Sequence, residues 1–160
     1  MKNSIISAID LCLKIRHQRP AFWPCILIAH SDDINFDEDN IKSLIEVIFD
    51  EDKSIGMFYV QVNYDVMTSK GVLDRFEKLT NRSMFRENDE EDDHYTWVET
   101  ESKDAAASFA SCLLEELFNL HDFEDIRMVI TGVRTAEEYI VMDMDGAWRR
   151  MKGFSDIENK

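Results

Sequence analysis

The stretch Arg127-Met128-Val129-Ile130-Thr131-Gly132-Val133, followed by Glu138-Tyr139-Ile140-Val141-Met142-Asp143-Met144, decides the fold class. Both runs are rich in β-branched and large apolar residues, and Gly132 to Glu137 make a connection of hairpin length. Two successive strands on so short a loop pair antiparallel, because a parallel pair needs a crossover of a dozen residues or more. The expected class is therefore α+β: one mixed or antiparallel sheet backed by about four helices and ending in a β-hairpin, rather than a doubly wound parallel fold.

Working back from the hairpin, Ser102 is a candidate N-cap for the longest helix, in which Ala106, Phe109, Ala110, Leu113, Leu117 and Leu120 form one apolar stripe. Glu115 and Glu116 fall on its polar side. Ser69 opens a helix ending near Asn81, with Val72, Leu73, Phe76 and Leu79 on one side. Met57 to Tyr64 alternates with the two-residue period of a strand, and Tyr95 to Val98 is a shorter strand candidate. Asp37 suits the N-cap of a further helix turning Ile41, Leu44, Ile45 and Ile48 inward. At the start, Ile5, Ile6, Ile9, Cys12 and Leu13 are spaced for an amphipathic helix over residues 3–17. Arg19-Pro20 and Pro24 close that helix, and Cys25 to Ala29 follows as a buried strand. Residues 1–153 are read as one globular domain and 154–160 as a polar tail.

Composition bounds the function. The 160 residues are 44% apolar and include 10 Phe and 3 Trp, so the chain has the means to bury a core although 32% of it is charged. Asp and Glu number 33 against 18 Lys and Arg, for a net charge of -15. A field of that sign repels nucleic-acid phosphates and anionic lipid headgroups and attracts basic surfaces. Neither a nucleic-acid nor a membrane partner is expected. Cys12, Cys25 and Cys112 stand singly in apolar contexts, an odd count without C-x-x-C spacing, and read as reduced core thiols. Asp10 and Lys14 interrupt the apolar N-terminal run, so it reads as a helix rather than a signal peptide; with no apolar stretch of membrane-spanning length, the expected location is cytoplasmic.

Chemistry-bearing patterns are sparse. Tyr139-Ile140-Val141-Met142-Asp143-Met144-Asp145-Gly146 resembles the strand-plus-aspartate opening of haloacid-dehalogenase-type phosphatases, in which the first Asp is the nucleophile and the second an acid/base. That family carries the motif ahead of a long domain and follows it with a Thr that is absent here, so the segment is read as a strand ending in an Asp-Gly turn. Asp33, Asn35, Asp37 and Asp39 imitate the alternate oxygens of a calcium loop, but Glu38 stands at the Gly position and Leu44 at that of the bidentate Glu. His17, His30, His94 and His121 fit no metal-ligand spacing. His30-Ser31-Asp32 holds triad residue types, but triads are assembled from distant segments. No catalytic residue, metal or cofactor is expected, and the chain is not read as an enzyme.

What remains is clustered acid. Glu87, Asp89, Glu90, Glu91, Asp92 and Asp93 fill six of seven consecutive positions, and nine acids lie between Asp32 and Asp52 with Lys42 the one base. Such runs repel themselves and are relieved by an opposing charge. Tyr95 and Trp97 directly follow the denser run, as aromatic anchors do beside a polar rim. The acidic run with Tyr95 and Trp97 is the expected partner-binding surface, and Asp32, Asp33, Asp37 and Asp39 are the secondary candidates.

A small, acidic, motif-poor domain with one carboxylate cluster resembles, in size and charge, the immunity proteins of bacterial toxin and immunity pairs, which neutralise a cognate toxin by binding it. The resemblance implies a cytoplasmic toxin inhibitor acting in bacterial competition by protein binding, with carboxylates set against the basic cleft of a toxin such as a nuclease. The alternatives are an acidic secretion chaperone, which holds an extended export substrate in apolar grooves, and an enzyme with scattered catalytic groups.

Overall fold

The apolar run after Pro24 becomes the centre of the fold in the computed structural model, which describes residues 1–18, 24–31, 43–49, 58–62, 70–80, 97–100, 102–132, 139–142 and 148–152. Strand β1 (Pro24–His30) is flanked by β2 (Ile45–Phe49) on one side and by β5 (Ile126–Gly132) on the other. Beyond β2 lie β3 (Phe58–Val62) and the edge strand β4 (Trp97–Thr100); beyond β5 lie β6 (Tyr139–Met142) and the opposite edge strand β7 (Trp148–Lys152). The seven strands thus run in the order β4-β3-β2-β1-β5-β6-β7, and every adjacent pair is antiparallel. Among the described residues three α-helices accompany the sheet: α1 (Lys2–Gln18), α2 (Lys70–Thr80) and α3 (Lys103–Phe118).

Register explains which face carries the helices. Ile26 and Ile28 of β1 stand beside Val47 and Ile45 of β2, which stand beside Val60 and Val62 of β3; on the other flank they meet Ile130 and Met128 of β5. All of these are buried, and they form one cluster with Ile5, Ile9, Cys12 and Ile15 of α1 and Ala106, Ala110, Leu113 and Leu117 of α3. Helix α1 packs on β1 and β5, α3 packs on β2, β3 and β4, and the two helices pack against each other. Phe76 is the fully buried residue by which α2 joins them. Each such aliphatic or aromatic side chain contributes about 1.5–3 kcal/mol by leaving water, which makes this the dominant favourable term in the fold. β4 and β5 run in the same direction, so α3 is the crossover that carries the chain from one edge past β3, β2 and β1.

Local chemistry fixes the ends of α3. The Ser102 hydroxyl accepts from the backbone N–H of Ala105 at 3.0 Å, and Asp104 sits in the first turn, where the helix dipole favours a carboxylate. Asn119 ends the helix in the left-handed conformation (φ 55°), and the N–H groups of Asn119 and Leu120 reach the carbonyls of Glu115 and Leu114 at 3.1 Å. Lys103 to Asp10 at 2.7 Å and Lys2 to Asp104 at 3.1 Å join α3 to α1 at the surface. Exposed pairs of this kind add at most about 1 kcal/mol each.

The hairpin expected from residues 127–144 is present as β5 and β6, with Val129 opposite Val141 and Ile130 opposite Ile140. Four expectations need correction. From Ile45 on, the helix read over Ile41, Leu44, Ile45 and Ile48 is strand β2, where Ile45, Val47 and Phe49 are buried on one face and Glu46 and Ile48 lie half-buried on the other; Asp37 and Ile41 lie outside the described residues. With it the helix count falls to three among the described residues. The strand expected at Tyr95 to Val98 is present as β4 over Trp97–Thr100, and Tyr95 lies outside the described residues. A further strand, β7, pairs with β6 beyond the expected hairpin, and its charged sequence Trp-Arg-Arg-Met-Lys concealed it. Finally, side chains assigned inward do not all point there: Cys112 is exposed, Leu79 is 40% exposed and Phe109 is only half-buried. Cys12 and Cys25 are buried as free thiols. No helix among the described residues is long and apolar enough to cross a membrane.

Candidate partner-binding surface

Strand polarity sorts the connections of the sheet into two ends. At the end where β1 finishes, His30 pairs with Ile126, the first residue of β5, and Ile28 pairs with Ile45, the first residue of β2. Ile45 in turn faces Val62, the last residue of β3, and the neighbouring Gln61 faces Trp97, the first residue of β4. Met128 pairs with Met142, the last residue of β6, and Met142 with Trp148, the first residue of β7. All seven strands therefore start or stop at what we call the His30 end, and the segments 31–44, 63–69, 81–96, 119–125 and 143–147 leave or enter the sheet there.

These five segments hold five, one, six, three and two carboxylates respectively, 17 of the 33 in the chain, against three Lys and Arg. At the opposite end the segments 19–23, 50–57, 101–102, 133–138 and 153–160 hold eight carboxylates and four Lys and Arg. By sequence the net is -14 for the segments that join the sheet at the His30 end against -4 for those that join it at the other. Both acidic blocks singled out in the sequence, Asp32 to Asp39 and Glu87 to Asp93, fall in segments that join the sheet at the His30 end.

Of the residues expected to contact a partner, Trp97 opens the edge strand β4 with its backbone in register with Gln61. Glu87, Asp89, Glu90, Glu91, Asp92, Asp93 and Tyr95 lie outside the described residues, as do Asp32, Asp33, Asp37 and Asp39. Asp93 stands four residues before Trp97 and Asp32 two residues after His30, and an extended chain advances at most about 3.6 Å per residue.

The structure adds a third acidic segment to this end. After the cap at Asn119, whose side-chain oxygen lies 2.9 Å from His121 Nε2, the chain makes a single 3-10 turn at Phe123–Asp125 and enters β5. Asp122 and Glu124 are exposed on this corner and Asp125 is half-buried. The N–H of Asp125 donates to the Asp122 carbonyl at 3.1 Å, and the Asp125 carbonyl accepts from the N–H of Ser31 at 2.9 Å. That bond joins the corner to the point where β1 gives way to the Asp32 segment. Asp122, Glu124 and Asp125 escaped the sequence reading because only strand order shows that β5 begins beside the end of β1.

The face of the sheet opposite the helices has its own polar group. Glu46 accepts from the Ser43 hydroxyl at 2.8 Å and from Gln61 Nε2 at 2.6 Å, beside Leu27 and near Cys25. Burial, with a smaller contribution from the Glu46 carboxylate, pushes the Cys25 thiol far above its ordinary range, so it stays protonated and is no nucleophile. Burial raises Cys12 as well, with Cys25 adding to it. His30 stands in the β1–β5 ladder, whereas Asp32 and His94 lie outside the described residues. Among the described residues no group of three or more His, Cys, Asp or Glu is placed to hold a metal ion. Comparison with protein-family models, curated proteins and solved structures finds no match.

Proposed function

We propose that this chain is a binding protein that neutralises a basic protein partner, and specifically an immunity protein that blocks a cognate bacterial toxin, such as a nuclease, in the cytoplasm. What supports the reading is that the five segments joined to the His30 end of the sheet carry, by sequence, 17 carboxylates against three Lys and Arg. Charge of one sign on one pole accelerates and orients the approach of an oppositely charged surface, and it repels phosphate-bearing partners. In this reading Glu87, Asp89, Glu90, Glu91, Asp92 and Asp93 steer the partner and stand in for the phosphates of its substrate. Tyr95 and Trp97 anchor the contact, and Asp32, Asp33, Asp37 and Asp39 flank it. The chain acts by occupancy and uses no catalytic residue, metal or cofactor.

The test is co-expression with the toxin candidate encoded beside this chain, scoring both survival of the host and formation of a complex. The proposal predicts rescue together with a complex that can be isolated. Rescue without a complex contradicts it and points to an enzyme that removes the toxin's product or modifies its target.

A further inference from the structure

No further inference is drawn: the strongest candidate, the face of the sheet opposite the helices around Leu27, Ala29, Glu46 and Val129, carries nothing, because nothing among the described residues shows what covers it.

Discussion

Ser31 donates its backbone N–H to the carbonyl of Asp125 at 2.9 Å, fastening the end of β1 to the corner from which β5 starts. Two segments that are distant in sequence, one leading into Asp32 and Asp33 and the other carrying Asp122 and Glu124, are thereby set side by side at one end of the sheet. That the acid-rich segments join the sheet at one end follows from the strand order and not from any single run of residues.

Changing Glu90, Glu91, Asp92 and Asp93 to Ser leaves the fold intact, and the melting temperature holds or rises. Surface substitutions cost under about 0.5 kcal/mol each, and removing four like charges that are consecutive in sequence relieves their repulsion. Thermal denaturation checks this. A fall of many degrees means that these carboxylates make native contacts, and they then cease to be free for a partner.

Leu113→Ala destabilises the protein by about 2–5 kcal/mol, because Leu113 is fully buried where α3 meets the sheet. Phe109→Ala costs less than Leu113→Ala, since Phe109 lies half-buried at the rim of the cluster. Glu116→Ala, on the exposed side, is nearly silent. Urea titration of the three variants gives the order, and a reversal shows that α3 is turned the other way.

Ser102→Ala removes the acceptor for the Ala105 N–H and costs about 1 kcal/mol, within the usual range for an N-cap. Ser102→Asp restores most of that stability by supplying another oxygen acceptor at the same place. Equal losses in the two variants contradict the cap.

The cysteines predict a labelling pattern. In the native protein Cys112 reacts with a thiol reagent, while Cys12 and Cys25 react only after denaturation. Its partial burial first, and the Glu116 and Glu115 carboxylates next, raise the Cys112 thiol above its ordinary value, so the native labelling rate keeps climbing above pH 9. Cys12 and Cys25 are also raised, and for them the sign of the stability effect is fixed. Below about pH 8.5 both the folded and the unfolded thiols are protonated and their contribution is fully present; above it the unfolded chain loses protons that the folded chain keeps. Stability therefore falls as the pH rises above about 8.5, and Cys25→Ala flattens the slope. Chemical denaturation across that range measures it.

How far the fold is legible in the sequence depends on the element. α1, α3, β1, β3 and the β5–β6 hairpin are legible from local pattern: helical spacing of apolar residues in α1 and α3, alternation in β3, and short apolar runs in β1, β5 and β6, with Ser102 and the two prolines marking ends of α3, α1 and β1. Residues 41–49 satisfy both periods: Ile41, Leu44, Ile45 and Ile48 fit a helix as well as Ile45, Val47 and Phe49 fit a strand. Pairing with β1 and β3 settles the matter, since β-branched residues pack well between two neighbours in a sheet. β7 is hidden because Arg149, Arg150 and Lys152 give it no apolar alternation, and charged side chains are common on the edges of sheets. The two acidic blocks are visible as blocks. That the segments holding them join the sheet at one end is not, because it depends on which strands adjoin.

The acidic corner after α3 supplies an independent check on the proposed interface. Asp122→Ser with Glu124→Ser slows association with the basic partner at low salt and adds to the loss caused by the Glu90 to Asp93 substitutions, because both segments join the sheet at the same end. Thermal denaturation of the double variant confirms that it is folded. No effect on association places the interface elsewhere.

The most direct test of the account is the association rate between this chain and the basic domain of a candidate toxin, measured across ionic strength for the wild type and for the Glu90, Glu91, Asp92 and Asp93 to Ser variant. Long-range steering is screened beyond about 8 Å at physiological salt. The account predicts that at low salt the variant associates about ten-fold more slowly or worse, and that the two rates converge as salt rises. Identical rates at every salt concentration, or no complex with the wild type at any, contradict it.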